Sequence, residues 1–340
     1  MARVLDEGAI AQVADAVEQL CCLEMRAPGS TFGVVRPLAS AARQLQGAAP
    51  MLLAARALAD RLHGGDAVII ATGFPVPGVM PQGETDGPPG AAALARALAQ
   101  GLGVRPYLLG EAATLGPIRA ACEALDLPEM CPGDWREGAV GFALDAFPED
   151  ELAEERAAEL LAWLRPRALV ITEKPGENRL GITHRAGGLP TGPGRARIEV
   201  LLRQARRGGV LTVGIGDNGN EAGLGALTEA TRHHKPFGEV CLCPCQGGIA
   251  AVDPAEITVV GSVSNWACYG IVACLALTLA NPELVHEGRR EERVIEACLA
   301  AGAVDGFGGE VPRVDGIPAR VNGQVVDILR AIIRVALGRP

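Results

Sequence analysis

The chain has 340 residues, 49% of them hydrophobic and 21% charged, with a formal net charge of −9 and 3% aromatics. That balance excludes a disordered chain, which needs low hydrophobicity with high charge, and an acidic chain without a basic stretch excludes nucleic acid as the main partner. No apolar run reaches bilayer-spanning length, and the opening residues Met1 to Glu7 carry acids where a signal peptide carries an apolar run, so a cytoplasmic location away from membranes is expected.

Apolar residues at helical spacing predict helices over 9–25 and 38–63, separated by the turn cluster Arg26-Ala27-Pro28-Gly29-Ser30. A buried strand follows over 66–71, then a Gly- and Pro-rich loop over 74–89 and an Ala-rich helix over 90–102. The alternation repeats, with strands over 104–109, 141–145, 168–172, 210–215 and 257–263. Helices over 115–125, 150–164, 196–207, 224–232 and 267–280 are interleaved with them, and helices over 291–301 and 325–337 close the chain. Such alternation predicts an α/β fold: a mostly parallel, doubly wound sheet with helices on both faces and extra helices at both termini. The chain reads as a single domain, with a helical part over 1–64 and the α/β core over 65–340.

Ligands of open α/β sheets bind beyond the carboxyl ends of the strands, so the residues after each strand carry the functional reading. After the first strand come Thr72-Gly73-Phe74 and then Gly83-Glu84-Thr85-Asp86-Gly87-Pro88-Pro89-Gly90. Glu84 and Asp86 suit a hard cation or an amine, although Asp86 also suits a cap on the following helix. After the 168–172 strand, Glu173-Lys174-Pro175-Gly176 leads to His184-Arg185. Lys174 or Arg185 suits a substrate carboxylate, and His184 suits a proton shuttle. After the 210–215 strand lies the most specific stretch, Gly216-Asp217-Asn218-Gly219-Asn220-Glu221-Ala222-Gly223-Leu224-Gly225. Asp217 and Glu221, with the amides of Asn218 and Asn220, form an oxygen-rich set that suits Mg²⁺ or Mn²⁺. The loop lacks the Gly-Lys-Ser/Thr of a nucleotide-binding loop, and no nucleotide is expected. Ser264 and Asn265, after the 257–263 strand, suit a helix cap or a carboxylate held at a helix start.

The remaining motifs weigh less. Most of the 10 cysteines fall in apolar helices or strands and read as buried thiols. Cys241, Cys243 and Cys245 alternate; on a strand they would share one face, as a soft-metal site requires. Their spacing is not the C-x-x-C of zinc ribbons, so core packing or redox chemistry is the preferred reading. Adjacent His233 and His234 point in different directions on a helix, and Asp305 and Asp315, each followed by Gly, read as turn residues.

Taken together and in this order, Thr-Gly-Phe, Gly-Glu-Thr-Asp-Gly-Pro-Pro-Gly, Glu-Lys-Pro-Gly…His, Gly-Asp-Asn-Gly-Asn-Glu-Ala-Gly-Leu-Gly and Val-Ser-Asn-Trp resemble the D-glutamate cyclase C-terminal-domain family. The segments 302–306 and 314–316 resemble its later motifs. The sequence departs from the family where Asn218 replaces the usual Gly after the Asp, and in its C-x-C-P-C cluster. The resemblance implies a hydro-lyase that closes glutamate to 5-oxoproline with loss of water. For that reaction the chemistry of the loops suits Asp217 and Glu221 to a divalent cation that polarises the γ-carboxylate, and Glu84, Asp86 or His184 to taking the amine proton, with Glu173 and Asp217 also catalytic candidates. Lys174, Arg185 or the helix start at Ser264 and Asn265 would hold the α-carboxylate, and Thr72, Gly73, Asn218 and Asn220 complete the candidate contacts to a small amino-acid substrate. A metal-assisted hydrolase or amidohydrolase of a small acid, or a non-catalytic small-acid binding protein, is the alternative. The sequence is compatible with a homo-oligomer.

Overall fold

The structure, a computed structural model, describes residues 5–29, 31–136 and 138–339. Three helices lead in: α1 (Glu7–Cys21), α2 (Val35–Gln46) and α3 (Pro50–Arg61). They are followed by β1 (Ala67–Ala71), α4 (Pro88–Leu102), β2 (Arg105–Gly110), α5 (Leu115–Ala124) and β3 (Ala143–Ala146). The second half comprises α6 (Leu152–Leu164), β4 (Ala168–Thr172), α7 (Ile198–Arg207), β5 (Leu211–Gly216), α8 (Thr228–His234) and β6 (Ile257–Val260). Next come α9 (Ser264–Thr278) and α10 (Gly288–Ala300), a short hairpin of β7 (Arg313–Val314) and β8 (Ile317–Pro318), and α11 (Ala319–Ala336).

The six main strands form one parallel sheet in the order β3-β2-β1-β4-β5-β6. Strands β1, β4 and β5 are apolar and buried along their lengths, as a sheet covered on both faces demands. Val68 and Ile70 face the larger apolar cluster, built with α4, α5 and α9. Ile69 and Ala71 face the opposite cluster, built with α6 and α7. Helices α1 and α3 extend the first cluster. Helix α9 is buried from Ser264 to Leu277 and carries apolar groups on all sides, which makes it the central helix of that layer. Among the described residues, no helix is long and apolar enough to cross a membrane.

The doubly wound sheet matches the expectation, with local corrections. The single helix expected over 38–63 is two, because Gly47 closes α2 in the left-handed region and Pro50 starts α3. The helix expected over 224–232 begins as a 3₁₀ turn, Gly225–Leu227, before α8. The strand expected over 257–263 stops at Val260. Gly261 there packs so closely on Ala267 that a side chain would not fit. The cysteines at 241–245 lie in a turn and not on a strand.

Strand order places the site. The chain runs outward from β1 through β2 to β3, then returns to β4 beside β1 and runs outward the other way. The segments after β1 and β4 therefore diverge and leave a crevice between them at the carboxyl ends of the strands.

Candidate active site

Acidic side chains from four loops converge over that crevice. Carboxylate oxygens of Asp86, Asp217 and Asp315 lie within 4.8 Å of one another, and so do those of Glu173, Asp217 and Glu221. Asp217 belongs to both groups. Glu84 and Asp315 meet across Gly306, where any side chain would collide with both carboxylates.

Two helix starts hold this arrangement. Asp86 Oδ2 accepts the Ser264 N–H at 2.8 Å and Oδ1 accepts the Asn265 N–H at 2.8 Å, which caps α9. Asn265 Oδ1 in turn accepts the N–H groups of Gly87 and Gly90 at 2.9 and 2.8 Å, which caps α4. Gly87 sits at φ 102° against Thr72 and Glu173, a backbone region open to glycine and a packing that leaves no space for a side chain. Glu173 itself is left-handed at φ 45°, unfavourable for a residue with a Cβ, and Ser264 Oγ donates to its Oε2 at 2.5 Å. Glu221 closes its own loop: its oxygens accept the N–H groups of Asp217, Asn218 and Gly219 at 3.2, 2.9 and 2.7 Å.

Positive charge is scarce here. Arg26, buried at 3% exposure, donates from Nη1 to Asp217 Oδ2 at 2.6 Å. Lys235 is also buried; burial lowers its ammonium to about 8, against the opposing pull of Asp217. Burial, reinforced by facing acids, pushes Asp86 up to about 7 and Glu221 up to about 8. For the same reasons Glu84, Glu173 and Asp315 lie well above the usual carboxylate range. The cluster therefore holds protons near neutral pH unless a cation neutralises it. Its donors are all oxygens, which fits Mg²⁺ or Mn²⁺ centred on Asp217.

A cavity of about 290 Å³ opens beside the cluster, with Glu84, Glu173 and Asp315 in its wall. Arg185, Asn218 and Asn220 form another part of the lining. Among the described residues, Arg185 Nε and both asparagine Oδ1 atoms are buried without a hydrogen-bond partner. Among the described residues, Arg185 also has no ion-pair partner. Buried polar atoms are normally paired, so one donor and two acceptors are left for a ligand. Phe74, Met80 and Phe307 form an apolar rim.

The structure thus brings together Glu84, Asp86, Glu173, Asp217 and Glu221, and sets Arg185, Asn218 and Asn220 in the adjoining wall. Ser264 and Asn265 lie behind the acids and orient Glu173 and Asp86. Thr72 and Gly73 lie beneath the loop, with Gly73 packed on Thr114. Lys174 is fully buried in an ion pair with Glu111, outside the cavity lining. His184 is not brought to the acids; its Nε2 lies 3.3 Å from Cys243 Sγ and 3.6 Å from Cys245 Sγ. Arg26, Lys235 and Asp315 escaped the sequence reading. Asp315 is a turn residue as expected, at φ 49°, yet its side chain joins the acids. Asp305 keeps the turn role, with Oδ1 accepting the Gly316 N–H at 2.9 Å.

Residues 31–330 match the sequence model of a family described as D-glutamate cyclase-like, C-terminal. The chain belongs to that family. The match takes in all the acids of the cluster, whereas Arg26 lies just before it. Human mitochondrial D-glutamate cyclase is 27% identical to the chain over 215 residues, a stretch covering 61% of this chain and 32% of that protein. The matched region therefore spans about a third of that relative's length. A solved chain described as SPT with PLP is 13% identical and covers 98% of this chain and 85% of its own. Its TM-score of 0.23 is too low for an argument about fold.

Proposed function

We propose that the cavity closes glutamate to 5-oxoproline with loss of water, a hydro-lyase reaction of the D-glutamate cyclase kind. The observation that carries this reading is the pairing of proton-holding acids with an unpartnered guanidinium and two unpartnered amide oxygens in one small cavity. An amino acid presents the complementary groups: a carboxylate for Arg185 and an ammonium for the Oδ1 atoms of Asn218 and Asn220.

Ring closure forms a bond from the α-nitrogen to the δ-carbon and breaks one carbon–oxygen bond. The nitrogen loses two protons overall, and the departing oxygen gains two and leaves as water. Glu84 and Glu173 line the cavity as facing, proton-sharing acids. One, ionised, takes the first proton from the ammonium so that the nitrogen can attack; the other, protonated, gives its proton to the departing oxygen. The second proton on nitrogen follows by the reverse exchange before water leaves. Ser264 holds Glu173 in place for that exchange. Arg185 binds the α-carboxylate and turns the γ-carboxyl group towards the acids. A divalent cation held by Asp217 with Asp86 and Asp315 would polarise the γ-carboxyl oxygen and leave Glu84 and Glu173 free to exchange protons. Nucleophile and electrophile belong to one molecule, so a bound, folded substrate replaces activation by a nucleotide.

The test is incubation of the purified chain with D-glutamate, L-glutamate and glutamine, with Mg²⁺ or Mn²⁺, followed by chromatographic product analysis. 5-Oxoproline from one glutamate enantiomer is expected. Ammonia release from glutamine without lactam formation would instead indicate an amidohydrolase and contradict the reading.

A further inference from the structure

His184, Cys241, Cys243 and Cys245 place four ligand atoms within 4.8 Å of one another, away from the carboxylate cluster. The three sulfurs form a triangle with edges of 3.1, 3.3 and 3.5 Å. The imidazole Nε2 sits 3.3 and 3.6 Å from two of them. A tetrahedral zinc, with Zn–S near 2.3 Å and Zn–N near 2.0–2.1 Å, requires S···S edges of about 3.7 Å and S···N edges of about 3.5 Å. The two S···N edges fall within about 0.2 Å of those values, and the three S···S edges are shorter by about 0.2–0.6 Å, so seating the ion needs only a small spreading of the sulfurs. A disulfide, at about 2.05 Å, would join only two of three near-equivalent sulfurs and leave the third thiol and the imidazole without a role.

We propose that these four residues form a closed Cys₃His zinc site that fixes one wall of the cavity. Binding displaces the three thiol protons and leaves the imidazole neutral, with Nε2 as its donor. No coordination position remains open, which is the pattern of a structural site and not of a catalytic one.

The surroundings agree. The Gly247 N–H donates to Cys245 Sγ at 3.4 Å and Asn178 Nδ2 approaches it at 3.8 Å, interactions that favour a thiolate. Gly248, at φ 74°, packs on the backbone of Gly238 and Glu239 where no side chain fits, so the turn that gathers the sulfurs is tight. Cys241 and Cys243 are buried while Cys245 is half-buried, which leaves a route for the ion. His184 immediately precedes Arg185 and Ala186 of the cavity lining. Its carbonyl accepts from Asn220 Nδ2 at 2.9 Å, and the Leu242 N–H donates to the Gly188 carbonyl at 2.9 Å. An ion here clamps the 241–245 turn onto the segment that presents Arg185. The proposal does not depend on which reaction the cavity performs.

The test uses the full chain, purified under reducing conditions and assayed for zinc by plasma mass spectrometry. In parallel, metal-free protein is titrated with Co²⁺ without oxygen. One zinc per chain is expected, with the visible absorption of tetrahedral, thiolate-bound cobalt. Cys243→Ser should lose both signals, whereas Cys131→Ser, at an exposed thiol elsewhere, and Asp217→Asn should keep them. Should the Cys243 variant not fold, the cobalt spectrum of the unaltered protein decides alone. A wild-type chain without the thiolate–cobalt bands, or zinc retained undiminished by folded Cys243→Ser, overturns the proposal. So does a Cys243–Cys245 disulfide that persists in the isolated protein and excludes zinc.

Discussion

Asp86 and Asn265 cap each other's helices. Asp86 accepts the first N–H groups of α9, and Asn265 accepts those of Gly87 and Gly90 at the start of α4. The two residues stand 179 positions apart, so the exchange ties the loop after β1 to the loop after β6. It also aims the positive ends of two helices at the acids, which steadies their negative charge.

Asn265→Ala should therefore destabilise more than an ordinary cap removal. It leaves the Gly90 N–H and the Thr85 carbonyl without their side-chain partner in a buried interior, and the Gly87 N–H with Asp86 Oδ1 alone. A loss of about 2–4 kcal/mol is expected from the usual cost of unpaired buried groups. Urea denaturation measures it; a loss below about 0.5 kcal/mol would mean that water replaces the amide without penalty.

Glu173→Gln should separate chemistry from folding. The amide keeps an oxygen for Ser264 Oγ and removes an acid whose ionisation burial opposes. The fold and melting temperature should be kept or improved, while turnover falls about 10²–10⁴-fold, the usual contribution of a positioned acid–base group. Turnover within about threefold of wild type would remove Glu173 from the proton transfers.

Arg185→Ala should act on binding. With its guanidinium otherwise unpartnered, its loss should raise KM about 10–100-fold with a smaller change in kcat. 4-Aminobutyrate, which lacks the α-carboxylate, provides the check. The wild type should discriminate strongly against it, and the variant should not. Equal discrimination by both proteins would place the α-carboxylate elsewhere.

The loops after β1, β4 and β5 were legible because their chemistry is local. Glycines and acids crowd short segments, and strand alternation places those segments at one end of a sheet. The residues that escaped lack such signatures. Arg26 reads as part of a turn, and only the packing of α1 carries it 191 positions to Asp217. Asp315 has a turn residue's backbone, and its second role depends on Gly306 letting it approach Glu84. Lys174 looked like an anion anchor because its partner, Glu111, lies 63 positions away at the end of β2. The three cysteines were expected to converge through strand alternation and instead converge through a turn, which also brings in His184.

Stability should depend on pH in an unusual direction. Asp86 and Glu221 have folded values near 7 and 8, above their ordinary 3.8 and 4.5, and Glu84, Glu173 and Asp315 are also raised. A raised carboxyl stabilises the fold fully below its ordinary value, and that contribution is lost as pH rises through the folded value. In chelator, the melting temperature should therefore fall between about pH 5 and pH 8. Saturating Mn²⁺ should flatten part of the decline by neutralising Asp86 and Asp315 in place of protons. Melting curves that rise across this window in chelator, or that ignore Mn²⁺, would show that the cluster is neutralised another way.

The acids around Asp217 are proposed to close glutamate into a lactam. Proton NMR of D-glutamate with Mn²⁺ or Mg²⁺, in parallel samples of wild-type protein and Asp217→Asn, tests this most directly. 5-Oxoproline signals should grow with the wild type, and at only the spontaneous rate with the variant. Glutamate left unchanged by the wild type with either metal and in either enantiomer, or equal rates from the two proteins, would contradict it.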